Sequence, residues 1–234
     1  MTAPTLTDLI YIKKGFLNDE QCQTIIDEYH NSPSDPVGEH CPHAFTGDDT
    51  WSTFTRTNPR QGSKAFSLIH RSVEKMVIDY QDYLDTFNAF HVMRRVSLMY
   101  PHMYRIMKYE TGAWIHPHTD HDPYVYGSCT ISLNDEYTGG EFAFWGGKHK
   151  VKLEKGDAMI WPADYFWVHE VETIESGHRY SVNCFLRSIP QELENAKFNV
   201  PVPENVRPFL HTQETKWAVG NFETPKKHTP IKIL

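Results

Sequence analysis

The chain has 234 residues, 39% of them hydrophobic, 23% charged and 13% aromatic, with a formal net charge of −7. That balance suits one folded domain with extensions and argues against a disordered chain, while the acidic excess argues against broad gripping of nucleic acid, which needs a basic footprint. No apolar run is long enough to span a bilayer, the N-terminal MTAPTLTDLIYIKKGF lacks the regions of a signal peptide, and the four cysteines (Cys22, Cys41, Cys129, Cys184) form no CxxC pair, so the expectation is a cytoplasmic protein with free thiols and no membrane partner.

Asn18 is placed to cap a helix whose first turn carries Asp19 and Glu20 at the positive end of the dipole, with Ile25, Ile26 and Tyr29 as its apolar stripe. Residues 31–60 are rich in Ser, Pro, Asp, Gly and Thr, with turn residues crowded over 32–38, and predict irregular surface chain. From 63 to 87, Phe66, Ile69, Val73, Met76, Val77, Tyr80 and Leu84 recur at three- and four-residue spacing, the pattern of a helix packed on a sheet. Short strands are expected after Val92, at 96–100, 104–109, 128–133, 141–145, 148–153, 158–161 and 180–186. Many short strands at close spacing indicate a sandwich or barrel. After Pro190 the prolines at 201, 203, 208, 225 and 230 resist long regular structure, and Lys226, Lys227 and Lys232 form a basic patch.

The densest group of metal-ligand side chains is WIHPHTDHD, residues 114–122, just after Gly112. On a strand, alternate side chains share a face, so His118 and Asp120 would project together from Cα atoms about 6.6 Å apart, with His116 on the same face. His121 and Asp122 lie where the chain turns toward Pro123 and suit the rim. An imidazole and a carboxylate from one strand, joined by a distant imidazole, would leave three positions open on a metal, the pattern of non-haem iron(II) oxygenases. His169, in the alternating run Val168-His169-Glu170-Val171 beyond the Gly156-Asp157 turn, is the first choice for the distant ligand. His178, beside Gly177, is its competitor.

Four ordered segments carry a resemblance. YETGAWIHPHTD (109–120) resembles the HxD-bearing strand and loop of the prolyl 4-hydroxylase-like branch of the 2-oxoglutarate- and iron(II)-dependent oxygenases. SLNDEYTGGEFAFW (132–145) is similar to that family's next strand and GGE segment, KGDAMIWPADYFWVHEV (155–171) to its turn, strand and distal histidine, and RYS (179–181) to its cosubstrate-binding strand. The resemblance implies a mainly β fold with flanking N-terminal helices and a double-stranded β-helix, or jelly-roll, core. Residues 1–90 would be helical support and variable loop, 91–190 the catalytic core and 191–234 a C-terminal extension. It implies that His118, Asp120 and His169 hold Fe(II), that the planar fork of Arg179 clamps the distal carboxylate of 2-oxoglutarate, and that Tyr109 and Ser181 add hydrogen bonds to that cosubstrate. Ser132 stands where some relatives carry a second tyrosine.

The cofactors so implied are Fe(II), 2-oxoglutarate and O2, with ascorbate a further candidate. The reaction would be hydroxylation of an unactivated C–H bond with release of succinate and CO2; retention of Asp120 favours hydroxylation over halogenation. A prolyl or peptidyl substrate is the first expectation, a free amino acid or related small molecule the second. Residues 31–60 and 121–127 would carry specificity. Trp51, Phe54 and Tyr124 are candidates for the pocket wall, and Trp114, Trp145, Trp161 and Trp167 for the core or site wall. Two other readings remain: a zinc-type hydrolase using the same ligands, and a non-catalytic jelly-roll binding module.

Overall fold

Alternation along the strands decides the architecture. The computed structural model describes residues 4–32, 40–46, 49–51, 53–87, 97–122 and 124–189. In chain order the elements are β1 (Tyr11–Lys13), α1 (Asp19–Asn31), β2 (His40–Pro42), β3 (Asp49–Trp51), β4 (Thr55–Thr57), α2 (Lys64–Asp85), β5 (Tyr100–Tyr109), β6 (Ile115–His118) and β7 (Val125–Ser132). There follow β8 (Tyr137–Gly139), β9 (Phe142–Phe144), β10 (His149–Val151), β11 (Ala158–Pro162), β12 (His169–Val171), β13 (Ile174–Gly177) and β14 (Arg179–Arg187). The strands assemble into a six-stranded sheet, β1-β11-β7-β14-β5-β4, a four-stranded sheet, β10-β9-β12-β6, and the pairs β13-β8 and β2-β3. The pairings in all of them are antiparallel.

One face of the six-stranded sheet is apolar. Ala158 and Ile160 of β11, Cys129 and Ile131 of β7 and Val182, Cys184 and Leu186 of β14 share a core with Cys22, Ile25 and Tyr29 of α1 and Ile69, Val73, Met76 and Tyr80 of α2. Each fully buried aliphatic side chain there contributes roughly 1.5–3 kcal/mol, so this layer carries much of the fold's stability. The alternate residues, Met159 and Trp161 of β11 and Met107 and Tyr109 of β5, belong to a second core shared with Phe142, Phe144 and Val171 of the four-stranded sheet.

Both expected helices form where their caps and stripes place them. Gln21 N donates to Asn18 Oδ1 and Asn18 N to Gln21 Oε1, each at 2.9 Å, closing a capping box at the start of α1. Ser63 Oγ accepts from Phe66 N at 3.0 Å at the start of α2.

Three expectations are corrected. The strand expected at 96–100 begins only at Tyr100 and runs unbroken to Tyr109, while residues 97–99 are not strand; Val96 lies outside the described residues. Pro101 is tolerated because β4 pairs with β5 only over Ile106–Lys108, leaving the Pro101 end of β5 paired on its β14 side. The loop expected over 121–127 is cut short at Val125, where β7 starts. Within 31–60, β2, β3 and β4 are regular, and the segment docks through Ala44 N donating to Pro117 O and Thr53 N to Trp114 O. Its far end is tied to α1 by the buried Glu28, whose carboxylate accepts from Arg60 N at 2.9 Å and Arg60 Nε at 3.0 Å. The turns expected over 33–38 lie outside the described residues.

Met1–Ser188 forms one unit and Ile189–Leu234 a second; the second lies outside the described residues apart from Ile189, and with it the expected proline-rich tail. Among the described residues no helix is long and apolar enough to cross a membrane.

The turn entering β11 leaves no room for a side chain. Gly156 has φ +80°, and a Cβ there would sit 2.2 Å from Leu17 O. Leu17 N in turn donates to Gly156 O at 2.9 Å. Gly156→Ala is therefore expected to destabilise the protein by about 2–4 kcal/mol. A urea midpoint equal to wild type would contradict that packing.

Candidate metal centre and cavity

β12 lies between β9 and β6, and its register sets His169 directly opposite His118 across the β12–β6 pair. The two ring centroids are 4.4 Å apart. Each imidazole is oriented by the backbone two residues before it: His118 Nδ1 is 2.7 Å from His116 O, and His169 Nδ1 is 2.9 Å from Trp167 O. A carbonyl can only accept, so Nδ1 carries the proton in both rings and Nε2 is left with its lone pair.

Asp120 completes the group by a route that strand alternation does not describe. β6 ends at His118, and Asp120 lies on the loop beyond it. That loop brings Asp120 Oδ1 to 3.5 Å from His118 Nε2 and Oδ2 to 3.5 Å from His169 Nε2. Ser128 Oγ donates to Oδ2 at 2.6 Å and fixes the carboxylate from the inner face of β7. The ligand atoms of His118, Asp120 and His169 all lie within 4.8 Å of one another. His116 is outside this group, packed between Trp114 at 3.9 Å and His43 at 5.0 Å between ring centroids. His178 is exposed, with Nδ1 2.8 Å from Glu110.

Burial works to raise the pKa of Asp120, but His169, His118 and the Ser128 hydroxyl outweigh it and hold the carboxyl well below its usual range. Burial lowers His169 to about 4. At neutral pH the arrangement is one carboxylate and the neutral imidazole of His169, with Nε2 of both rings facing the carboxylate. Such a set of acceptors is relieved by a cation, and two imidazole nitrogens with one carboxylate oxygen fit a divalent first-row metal with open positions.

Arg179 opens β14, in register with Tyr109 on β5. It is 1% exposed, with its guanidinium carbon 5.0 Å from the ring centres of both Tyr109 and Phe142. Nη1 donates to Ser181 Oγ at 3.3 Å, and among the described residues no carboxylate pairs with it. Burial pushes the Tyr109 phenol up to about 12, against the opposing pull of Arg179, so it stays protonated and can donate. The expected cosubstrate residues are thus together, at the buried end of one strand pair.

A cavity of about 500 Å³ opens beside the cluster, walled by Phe54, Arg105, Met107, Tyr109 and Asn183 together with His118 and Asp120. Phe54 lies where it was expected, Tyr124 is not among the lining residues, and the side chain of Trp51 is outside the described residues. Ser128 and Arg105 were missed. Ser128 had a signal in the alternation Ser128-Cys129-Thr130-Ile131-Ser132, where polar residues on one face of a buried strand mark an inner wall that must bind something.

Comparisons with known proteins point to the family that the motifs resemble. Residues 104–187 match the 2OG-Fe(II) oxygenase superfamily model, so the resemblance read from the motifs holds across that stretch. A PKHD-type hydroxylase of Acinetobacter baumannii is 31% identical over 84 residues, covering 34% of this chain and 36% of that protein. One from Janthinobacterium is 41% identical over 66 residues, covering 26% and 28%. The match thus spans only about a third of the length of these curated relatives. Among solved structures, the collagen prolyl hydroxylase of Paramecium Bursaria Chlorella virus-1, in complex with 2OG, has a TM-score of 0.57 at 16% identity, over 77% of this chain and 97% of that one. A Trichoplax adhaerens prolyl hydroxylase, in complex with a hypoxia inducible factor peptide fragment, has a TM-score of 0.58 at 13% identity, over 81% and 87%. At these identities the likeness shows a shared fold.

The buried histidine makes the metal-free protein acid-sensitive. An unfolded chain protonates His169 near its ordinary 6.5, the folded one only near 4, so folding stability falls as pH drops from 6.5 to 4, by on the order of 2–3 kcal/mol. Asp120 acts in the same direction at lower pH, its contribution being lost as pH falls below the ordinary 3.8 toward its depressed pKa. Urea unfolding at pH 7, 5.5 and 4 should show a shallower decline in His169→Gln than in wild type. Equal slopes would contradict the assignment.

Proposed function

We propose that this chain is a 2-oxoglutarate- and Fe(II)-dependent oxygenase that hydroxylates an unactivated C–H bond of an amino-acid residue, prolyl or otherwise peptidyl first, or of a free amino acid. The observation that carries the reading is Arg179, a buried guanidinium beside a two-histidine, one-carboxylate cluster, with no carboxylate partner among the described residues. A buried cation of that kind is strongly destabilising unless an anion meets it. A zinc hydrolase would use the cluster but has no need of Arg179, and a binding module needs neither.

His118 Nε2, Asp120 and His169 Nε2 would hold the metal, and Arg179, Ser181 and Tyr109 the far carboxylate of 2-oxoglutarate. Bound Fe(II), 2-oxoglutarate and O2 together supply the oxidant for C–H hydroxylation, with succinate and CO2 as coproducts; ascorbate is an accessory reductant in this reading. The protein's own part is to position and protect. His116 O and Trp167 O keep both imidazoles in the coordinating tautomer, and Ser128 holds Asp120 against rotation. Trp161 and Phe144, whose ring centres lie 5.1 Å and 5.6 Å from that of His169, shield its buried side from water.

The two antiparallel sheets sharing a core support a double-stranded β-helix over residues 91–190, with 1–90 as its helical support and 191–234 as an extension. Solved prolyl hydroxylases of the same fold favour a peptidyl substrate. Anaerobic addition of Fe(II) and 2-oxoglutarate should produce the visible charge-transfer band of the chelate, which zinc cannot give. His118→Ala should abolish it, while Arg179→Ala should raise the 2-oxoglutarate concentration needed by about tenfold to a hundredfold with metal binding retained. No band in the wild type, or unchanged 2-oxoglutarate affinity in Arg179→Ala, would overturn the proposal.

A further inference from the structure

The inner face of the β5–β14 pair is a ladder of facing residues. Its rungs are Tyr109 with Arg179, Met107 with Ser181, and Arg105 with Asn183, followed past a bulge by His102 with Phe185. The first rung is the one assigned to the cosubstrate. Arg105 stands four residues from it along β5, about 13 Å at strand rise. Its side chain leans farther away: the guanidinium carbon lies 5.0 Å from the ring centre of Phe185, and Nη2 is 3.4 Å from Met103 Sδ. A five-carbon diacid has its carboxylates only about 5–6 Å apart, so one molecule held at Arg179 does not also reach the fork of Arg105. The two guanidiniums are therefore separate stations, and of the two it is Arg105 that lines the cavity.

From this placement we infer that Arg105, with Asn183 beside it, receives a carboxylate of the substrate, which is then a free amino acid or a peptide whose reacting residue is its C-terminal one. The inference rests on the oxygenase reading and narrows it. Arg105 is 8% exposed yet lines the cavity, so it meets an entering group with little water between them. A planar guanidinium pairs with a carboxylate through two parallel hydrogen bonds, which a point-charge ammonium does not. Asn183 lines the cavity too, with its amide plane fixed by Thr130 Oγ1 donating to Oδ1 at 2.9 Å. The neighbouring His102 is neutral, its pKa lowered to about 4 by burial and by Arg187 and Arg105, so it does not compete for a proton at neutral pH. Between the two stations Phe54 and Met107 offer an apolar wall to the aliphatic body of the substrate.

The test uses the anaerobic Fe(II)–2-oxoglutarate protein and matched probes: L-amino acids and dipeptides ending in proline, each as free acid and as C-terminal amide. Affinity is read from the shift each probe causes in the charge-transfer band. At least one acid should bind at least tenfold tighter than its amide, and the amino-acid and dipeptide arms say which source of carboxylate fits. Arg105→Gln should erase the difference and Arg105→Lys should keep part of it. The band itself, formed at the Arg179 end, reports that each variant is folded. Acids binding no better than amides, no acid binding at all, or an acid preference surviving in Arg105→Gln would overturn the inference. If the wild type gives no band, the oxygenase reading fails by itself, and calorimetric titration of the same acid and amide pairs into the protein decides the role of Arg105 independently.

Discussion

The alignment of His169 with His118 across β12 and β6 is the constraint on which the site depends. Side chains alternate along a strand, so a slip of one residue in the short β12 would turn His169 away from His118 and put Glu170 in its place. β12 resists that slip because β9 holds its other edge, with Phe144 opposite His169 and Phe142 opposite Val171 in the shared core. The backbone two residues before each histidine supplies the carbonyl that orients its ring, from within β6 at His116 and from the segment ahead of β12 at Trp167. Backbone register and imidazole tautomer are thus set together. Asp120, which no strand holds, needs Ser128 to do for it what the backbone does for the histidines.

The six-stranded sheet is specialised by face. Its outer face is apolar and spent on the two helices, which frees the inner face to carry groups that stability alone would not favour: Ser128, Thr130, Ser132, Arg179 and Ser181, all buried. Ser132 donates to the Asn134 carbonyl, and Thr130 shares its one proton between Asn183 Oδ1 and the Val182 carbonyl. Arg179 is cushioned by two aromatic rings and one hydroxyl, partial compensation for a desolvated guanidinium. An inner wall so polar inside an otherwise aromatic core is a surface prepared for a ligand.

Much of this was legible in the residues. α2 could be read from its stripe, α1 from Asn18 and the acids that follow, and β11 from its apolar run, because each is decided by short-range periodicity and caps. The grouping of His118, Asp120 and His169 and the pairing of Arg179 with Tyr109 were legible through ordered motifs. The reason first given for Asp120 was not right: alternation on a strand predicted the correct neighbour, yet the strand ends at His118 and a loop delivers the carboxylate. β2, β3, β4, β8 and β13 escaped notice because each is three or four residues long and is stabilised by a partner that local pattern does not reveal. Arg105 escaped for a related reason. Whether a strand arginine faces water or a cavity depends on the register of β5 against β14, which includes a bulge that composition does not announce.

The most direct measurement of the central claim is an anaerobic crystal structure with Mn(II), a redox-stable stand-in for Fe(II), and 2-oxoglutarate. The account predicts the metal bound by His118 Nε2, Asp120 and His169 Nε2, with both Nδ1 atoms still donating to the His116 and Trp167 carbonyls. It also predicts the far carboxylate of 2-oxoglutarate on the fork of Arg179. A metal bound by other side chains, or 2-oxoglutarate lying away from Arg179, would contradict it.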